Sequence, residues 1–571
     1  MKTTTLTVER QGFGRTKRAA SSSTLSGPIL RWGLSALLLA IGSNSIFANE
    51  NEGTHGQDAS GRTMSARVDA LIAERWAAEE VAPAPMSDDA RFMRRVYLDL
   101  TGVTPPVAEA RRFLGDAGDD KRARLIDSLL SSPRHSTHLA NLWRNLLLPN
   151  GFRPDELGNA MGLQSWLQQQ FADNLRYDSL VAEFLMASGS LENGPGLFYT
   201  SLELKPEELA GQTAQIFLGV RMQCAQCHNH PFDSWTQRDF WGYAAFFAQL
   251  EDRNAMQSRN GRSLQDSNRG EVTLPDSDEV IAPKYPGSRM ADPAEGGTRR
   301  MQLAIWMASR DNPYLAKAAV NRVWSQLFGR GIVEPVDDLG PGNPASHPEL
   351  LDELAKFFAH SGFDLQQLYR VLVNTNTYQL SSMAGEQTDL PSRDLFAYYA
   401  PRPLSAEQMY DSLERTVGTQ TLQDNNVAVP PALRDTRRLQ FVMSMQQITR
   451  GTKYELGPIQ ALSLMNGSLT ATATHPQQGT LLQALEAPFF SDQQCIDVLF
   501  LSTLSRYPNK EESSEFASYL QTAADPTDPV VAADSGGDPI DGTKRHVTER
   551  GERLADLLWM LINSAEFALI P

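Results

Sequence analysis

Two cysteines and two histidines fall within one seven-residue run whose side chains could bind a cofactor. The run is Cys224-Ala225-Gln226-Cys227-His228-Asn229-His230. Cys-x-x-Cys-His is the attachment signature of c-type haem, in which each thiol bonds one vinyl-derived carbon and the adjacent histidine faces the iron as axial ligand. The motif therefore predicts a haem c site on Cys224, Cys227 and His228.

The same side chains allow other occupants. Cys224, Cys227, His228 and His230 also form a sulfur and nitrogen ligand set suited to zinc or iron. His230 favours a non-haem metal, because two residues after His228 it cannot easily reach the opposite face of a haem iron. The thiols could instead form a structural or redox-active disulfide in an oxidising compartment. These residues leave the occupant open and identify no second axial ligand.

Other residues could complete such a site, although each has a simpler explanation. His135 and His138 are candidate second ligands, but a lone helical histidine more often packs or faces solvent. Asp337 and Asp338, which are not candidates for the cofactor site, are interpreted as a solvated acidic pair rather than a catalytic dyad, because successive side chains point apart. An aromatic run after the motif could cover a porphyrin, and an ordinary aromatic core is its default explanation. It comprises Phe232, Trp235, Phe240, Trp241, Tyr243, Phe246 and Phe247.

The first 48 residues have the pattern of a secretory signal. A basic segment ends at Arg31, an apolar stretch follows, and Ile46-Phe47-Ala48 places small and apolar residues before the expected cleavage point. The apolar stretch of about ten residues is too short to span a membrane comfortably. We expect residues 1–48 to be removed. The mature chain would be exported to the periplasm, cell surface or medium, without an integral membrane span.

The rest of the composition is that of an acidic globular protein. The whole chain has a formal charge of −16, and without residues 1–48 it carries 46 Lys+Arg against 67 Asp+Glu, a net of −21. Such a surface repels phosphate backbones, so nucleic-acid binding is disfavoured. Three cysteines are too few for a disulfide scaffold. None of these features determines the oligomeric state.

Apolar residues recur mostly at helical spacing, which predicts a mainly α fold. Near the start of the globular part, Val68, Leu71 and Ile72 follow this spacing. Shifts in composition predict two helical domains joined by a polar linker. The expected segments are a flexible start (49–64), a first domain with the Cys/His motif (65–250), the linker (251–298) and a second domain (299–571).

Two shorter segments have their own signatures. In the linker, Val272-Thr273-Leu274 and Val280-Ile281-Ala282 flank a turn-forming stretch, and this predicts a small β-hairpin. Residues 524–545 are rich in Asp, Pro and Gly and nearly lack large apolar side chains. They are expected to be a disordered insertion.

Long blocks of the first half resemble a known family. They are Arg95-Val96-Tyr97-Leu98-Asp99-Leu100-Thr101-Gly102, Phe217-Leu218-Gly219-Val220-Arg221, and the motif with the following Pro231-Phe232. They are similar to a planctomycete cytochrome-C-associated domain of unknown function. The resemblance implies a secreted protein, often joined to a separate haem-c domain, with no established reaction.

The second half resembles the usual companion of that domain, a planctomycete-specific domain of unknown function. The blocks that carry the likeness are Val320-Asn321-Arg322-Val323-Trp324, Phe328-Gly329-Arg330-Gly331-Ile332-Val333-Glu334-Pro335-Val336-Asp337-Asp338 and Tyr378-Gln379-Leu380-Ser381-Ser382. The two resemblances together cover roughly residues 65–570.

Taken together, these features predict an exported haem- or metal-binding protein that exchanges electrons with a redox partner through the Cys224–His228 motif. Whether it is an enzyme is left open, because the sequence contains no phosphate-binding loop, nucleophile elbow or His-Glu-x-x-His motif. The alternatives are an extracellular polymer-processing enzyme and a non-catalytic surface or assembly protein. In these the motif would hold a structural metal or a disulfide.

Overall fold

Helices dominate the structure. The computed structural model describes residues 49–571 apart from 149–156, 192–193, 254–262, 276, 289, 293–295, 311, 383–389, 418–430, 447–464, 466, 477–478 and 522–547. Over the described residues the prediction of a mainly α fold is confirmed, and strands occur only in short pairs and one three-stranded sheet. The expected signal at 1–48 and the expected insertion at 524–545 lie outside the described residues.

The first half contributes a series of helices that ends at the Cys/His motif. They are α1 (Asn49–Ala78), α2 (Asp89–Thr101), α3 (Val107–Gly115), α4 (Lys121–Leu130), α5 (Pro133–Leu147), α6 (Leu157–Ala172), α7 (Tyr177–Leu185), α8 (Gly196–Ser201), α9 (Pro206–Thr213) and α10 (Gln237–Ala244). Between α9 and α10 lie a π-helix (Ala214–Leu218) and a 3₁₀-helix (Gln223–Gln226).

Residues 49–64, expected to be flexible, belong instead to α1. The second half of this helix is held by packing, because Val68 and Ile72 are fully buried. The Ser65 hydroxyl also donates a 2.8 Å hydrogen bond to the carbonyl of Val371. Tertiary contacts of this kind, rather than helix propensity, supply most of the stability of a helix in a folded protein.

The segment expected to be a linker is part of the folded body. Strands β1 (Gly189–Ser190), β2 (Leu250–Arg253) and β3 (Ser263–Asp266) form an antiparallel sheet in the order β1-β3-β2. Strands β4 (Val272–Thr273) and β5 (Val280–Ile281) pair antiparallel with Val272 opposite Ile281, so the predicted hairpin is confirmed. The buried Arg300 guanidinium donates two hydrogen bonds of 2.8 and 2.7 Å to Asp266, which fixes β3 against the second half.

The second half is again helical. Its helices are α11 (Arg299–Met307), α12 (Leu315–Phe328), α13 (Pro348–His360), α14 (Leu365–Val373), α15 (Asn376–Gln379), α16 (Ala406–Val417), α17 (Pro431–Gln446), α18 (Ser468–Ala473), α19 (Thr480–Leu485), α20 (Asp492–Thr503), α21 (Lys510–Gln521), α22 (Glu549–Ile562) and α23 (Ala565–Ala568). Strand β6 (Arg402–Pro403) pairs with β7 (Leu569–Ile570). Within the described part of the chain, no helix has the length and apolar character needed to cross a bilayer.

The two helical halves share one core. Residues 56–571 form a single compact unit, and one apolar cluster contains side chains from both halves. The ring of Tyr177 in α7, for example, lies 6.0 Å from that of Phe358 in α13. The two expected domains therefore do not stand apart on a spacer but bury their apolar faces against each other.

A buried polar cluster around Asp99 also joins the halves. The Asp99 carboxylate in α2 accepts hydrogen bonds from the hydroxyls of Tyr378 (2.8 Å) and Tyr399 (3.2 Å). Arg402 donates to its other oxygen at 2.5 Å. The Arg95 guanidinium stacks 3.5 Å above the Tyr399 ring. Charged groups removed from water in this way are stable only while they remain paired.

Candidate functional site

The two motif cysteines lie on a short surface turn. Gln223–Gln226 forms the 3₁₀-helix, and Cys224 and Cys227 are exposed free thiols on either side of the buried Ala225. Cys224 lies within the 3₁₀-helix, and Cys227 caps its C-terminal end. Ala225 anchors the turn in the core while the thiols remain accessible.

The two histidines of the motif have different hydrogen-bond partners. His228 Nδ1 lies 2.7 Å from the carbonyl oxygen of Asn229, a pure acceptor, so this ring nitrogen carries the proton. His228 Nε2 then presents a lone pair, which is the arrangement of a ligating histidine. His230 Nδ1 instead accepts a 3.3 Å hydrogen bond from the backbone N–H of Phe232, which places the proton of the neutral ring on Nε2. The local structure therefore prepares His228, and not His230, to bind through Nε2.

A π-helix precedes the motif and is held by the second half of the chain. The helix Ala214–Leu218 has wider turns than an α-helix, a feature common at functional sites. Arg322 in α12 donates hydrogen bonds to the carbonyl oxygens of Gln215 (3.4 Å) and Ile216 (3.0 Å). It thereby satisfies backbone acceptors that the irregular helix does not pair internally.

Gly219 ends the π-helix and turns the chain toward the motif. Its φ of 64° lies in the left-handed region, which glycine adopts without steric cost. A Cβ here would lie 3.0 Å from Leu339 Cδ1 and 3.2 Å from Ala318 Cβ. The Gly219 carbonyl accepts a 2.7 Å hydrogen bond from the Leu339 N–H. The turn therefore depends on close approach of the second half as well as on glycine's backbone freedom.

Asp337 holds the residues on both sides of Gly219. One carboxylate oxygen accepts two hydrogen bonds from the Arg221 guanidinium, at 3.1 and 2.6 Å. The other oxygen accepts one from the side-chain amide of Gln215. The interpretation of Asp337 as a solvated surface carboxylate was wrong, because its side chain is only 14% exposed and is occupied by these partners. Sequence spacing could not show this, because both partners lie more than a hundred positions away.

Helix α10 holds the other end of the motif. The Trp241 indole donates a 3.0 Å hydrogen bond to the carbonyl of Gln226. The Gln237 side-chain amide donates to the same carbonyl at 3.2 Å and to that of Cys227 at 3.0 Å. Thr236 begins α10 with a reciprocal capping box that includes Asp239. The carbonyl oxygens of Gln226 and Cys227 are therefore both hydrogen-bonded to α10, which fixes the end of the turn that carries the cysteines.

Most of the aromatic run after the motif belongs to the core. Phe240, Tyr243, Phe246 and Phe247 are buried and contact one another or other rings. Phe232 is the exception, since 85% of its surface is exposed beside the two histidines. The run therefore does not form a wall that is free to cover a porphyrin.

The candidate second ligands His135 and His138 lie in the core between α2 and α5. His135 Nδ1 is 2.8 Å from the carbonyl of Leu100, and its ring packs edge-on to Tyr369. Burial lowers the pKa of His135 to about 4 and, with the nearby His135 ring, that of His138 to about 3. Both rings pack as neutral core residues, and none of their described contacts is with the motif.

Among the described residues, no three His, Cys, Asp or Glu side chains converge in an arrangement that could hold a metal ion. Cys224, Cys227, His228 and His230 share one loop without meeting at a point. Their donor set nevertheless fits two chemistries, namely covalent attachment through two accessible thiols and ligation through sulfur and imidazole nitrogen.

Two family models match the chain in succession. One, PSCyt2, described as a protein of unknown function (DUF1549), matches residues 67–252. The other, PSD1, also described as a protein of unknown function (DUF1553), matches residues 299–455. No curated protein and no solved structure matches the chain. The Cys/His motif lies inside the first match, and Arg322 and Asp337, which hold the residues leading into it, lie inside the second.

Proposed function

We propose that this chain, which belongs to the two-domain family that joins a PSCyt2 domain to a PSD1 domain, both of unknown function, is an exported haem- or metal-binding redox protein. The cofactor site is the Cys224–His228 turn, and the occupant we favour is haem c. The observation that carries this choice is the pairing of His228 Nδ1 with the Asn229 carbonyl, 2.7 Å away.

This pairing matters because it distinguishes the two histidines. With its Nδ1 proton engaged, His228 offers the Nε2 lone pair that an axial or metal ligand needs. His230 would first have to give up its hydrogen bond to the Phe232 N–H before the same tautomer became available. The order Cys-x-x-Cys-His, with His228 as ligand, is the haem c signature, whereas a site that also used His230 would have favoured a non-haem metal.

The exposure of the thiols supports covalent attachment. Cys224 and Cys227 are free and exposed on one surface turn, so a porphyrin could approach both without rearrangement of the core. A haem held there would supply a one-electron couple at the protein surface. The chain itself supplies orientation, because α10 fixes the carbonyls that follow the cysteines. The export proposed for the chain would bring it to the compartment where covalent haem attachment takes place, outside the cytoplasm.

The test is to produce the full chain in a periplasm that matures c-type cytochromes. We expect a Soret band, a haemochrome spectrum with haem retained after denaturation, and one haem per chain. Cys224→Ser and Cys227→Ser should each leave at most one thioether bond and shift the haemochrome band, whereas the double variant should abolish covalent attachment. His228→Ala should perturb the spectrum, whereas His230→Ala should leave it nearly unchanged.

Cys495→Ser is the matched control, because this third thiol is buried in α20 and its Sγ donates to the Leu485 carbonyl. It should bind haem like the parent chain. Stoichiometric iron without a Soret band would replace haem c with a non-haem iron at the same motif. Stoichiometric zinc, which has no redox couple, would keep a metal site there but contradict the proposed redox function. A colourless protein without metal would contradict the proposed redox function.

A further inference from the structure

A polar cleft lies between the two matched domains, formed by residues outside the Cys/His motif. Its volume is about 240 Å³, and its walls come from α5 and α6 of the first domain and α16 and α17 of the second. Clefts between domains are common ligand sites, and this one has room for a ligand smaller than a typical drug molecule. Its most informative lining side chains are Arg134, Arg144, Arg415, Arg438, Asn141 and Gln164.

Two of the four arginines already have carboxylate partners. Arg438 in α17 donates two hydrogen bonds of 2.7 Å to Asp411 in α16. Arg144 in α5 lies 3.3 Å from the buried Glu407 and also contacts the Gln164 amide oxygen. These ion pairs connect α5 to α16 and α16 to α17, and so they fix the walls of the cleft at the interface of the two domains.

The other two arginines have no such partner. Among the described residues, the guanidinium groups of Arg134 and Arg415 take part in no hydrogen bond or ion pair. Arg415 is partly buried, and that burial, followed by the positive charge of Arg134, holds the pKa of Arg415 below its usual range, although the charges of Glu109 and Asp411 act to raise it. Two cations that repel each other at one cleft are stabilised when an anion lies between them.

The positive charge of the cleft contrasts with the negative charge of the whole chain. The protein as a whole carries a charge of −16, yet the cleft lining has four arginines and only two acidic residues, Asp411 and Glu414. The side-chain nitrogen of the buried Asn141 also donates to no described group, while its oxygen accepts from Gln164 at 2.7 Å. The cleft therefore offers two unpaired guanidinium groups and an amide donor together.

We propose that this interdomain cleft binds a small anion with a carboxylate, sulfate or phosphate group, held by Arg134 and Arg415 and oriented by Asn141. Guanidinium groups present planar pairs of N–H donors that match such oxyanions. Because Arg134 belongs to the first domain and Arg415 to the second, the bound anion links the two domains and stabilises their association. This site is independent of the cofactor assigned to Cys224–His228.

Isothermal titration and thermal unfolding of the full chain test the site with sodium phosphate, sulfate and acetate. Sodium chloride at matched ionic strength is the reference. We expect at least one oxyanion to raise the unfolding midpoint beyond chloride and to bind with one site per chain; the anion that binds most tightly identifies the head group. Arg415→Gln and the exposed Arg134→Gln should each weaken that binding about tenfold, as expected for loss of a charge-assisted hydrogen bond.

Arg111→Gln is the matched control, because Arg111 is an exposed arginine on the nearby α3 without a described partner. It should bind like the parent chain. The proposal is overturned if phosphate, sulfate and acetate act no differently from chloride. It is also overturned if Arg134→Gln, whose exposed position makes loss of folding unexpected, binds the oxyanions as tightly as Arg111→Gln does.

Discussion

Arg221 donates a 2.6 Å hydrogen bond to the carboxylate of Asp337, and so a residue of the second domain holds the chain three positions before Cys224. The same carboxylate binds Gln215 in the π-helix. The turn that carries Cys224 and Cys227 therefore belongs to the first domain but is positioned by the second, which gives a physical reason for the two domains to occur together.

Asp337→Asn should weaken the hold on this turn. It removes the charge that pairs with Arg221 while keeping the size of the side chain. We expect a loss of about 1–2 kcal/mol in the free energy of unfolding and a lower yield of cofactor per chain. Asp338→Asn is the matched control, since no described hydrogen bond uses that neighbouring carboxylate. Urea unfolding and haem or metal stoichiometry measure both effects, and equal behaviour of the two variants would contradict the assigned role.

Gly219→Ala should destabilise the same region through the backbone. The residue has a φ of 64°, and a new methyl group would lie 3.0 Å from Leu339. We expect a cost of about 1–2 kcal/mol from the left-handed conformation and the close contact. Gly115→Ala is the control, because a Cβ at that position meets nothing within 4 Å. Thermal or urea unfolding should show little change in the stability of the control. A Gly219→Ala protein as stable as the parent chain would contradict the prediction and show that the turn can rearrange to accept the methyl group.

Asp99→Asn tests the buried cluster that joins the halves. Loss of the charge leaves the Arg402 guanidinium without its counter-ion in a site where Asp99 is only 2% exposed. Removal of one member of a buried ion pair costs about 3 kcal/mol or more. Asp127→Asn removes a comparable pair with Arg370 on the surface, 2.8 Å long, and should cost less than about 1 kcal/mol. Similar losses in the two variants would show that the Asp99 cluster contributes no more than a surface pair.

The buried histidines should make the fold sensitive to mild acid. Burial lowers the pKa of His135 to about 4 and that of His138 to about 3, against 6.5 in the unfolded chain. Below pH 6.5 the unfolded state binds protons that the folded state excludes, so stability falls as pH decreases toward 4. Each ring contributes on the order of 3 kcal/mol to this loss.

Unfolding free energies measured by urea between pH 7 and pH 4 check this pH dependence. His138→Gln removes one of the two titrating rings and should make the curve shallower in that window. The exposed His360 at the end of α13 provides the matched control, since His360→Gln should leave the slope of the curve unchanged. A slope that is the same in His138→Gln and the parent chain would contradict the assignment.

Much of the local structure follows from nearby residues alone. Val68 and Ile72 recur at helical spacing, and both are buried on α1. The two short apolar runs around residues 275–278 predicted a hairpin, and Val272 does pair with Ile281. Helices and hairpins of this kind can be predicted because the residues that interact are neighbours in the chain. Their spacing and the turn residues between them then determine the local structure.

The partners of the motif could not be predicted in this way. Asp337 was interpreted as a solvated surface residue because a doublet of acids is usually exposed, and no local pattern points to Arg221. Arg134 and Arg415 also appear unrelated in the sequence, yet they line one cleft. Contacts between residues hundreds of positions apart depend on how whole helices pack, and side-chain periodicity does not encode that packing.

By itself, the sequence determined the helical character of the chain, the succession of two domains and the presence of two thiols and a histidine at haem c spacing. The local backbone of the loop distinguishes the two histidines of the motif. Tertiary structure decided which carboxylate holds the turn and where arginines without carboxylate partners come together. The physical reason is that residue types and spacing are local properties. Burial and electrostatic pairing depend on the groups that folding brings within a few ångströms, and for Asp337, Arg134 and Arg415 those groups come from opposite halves.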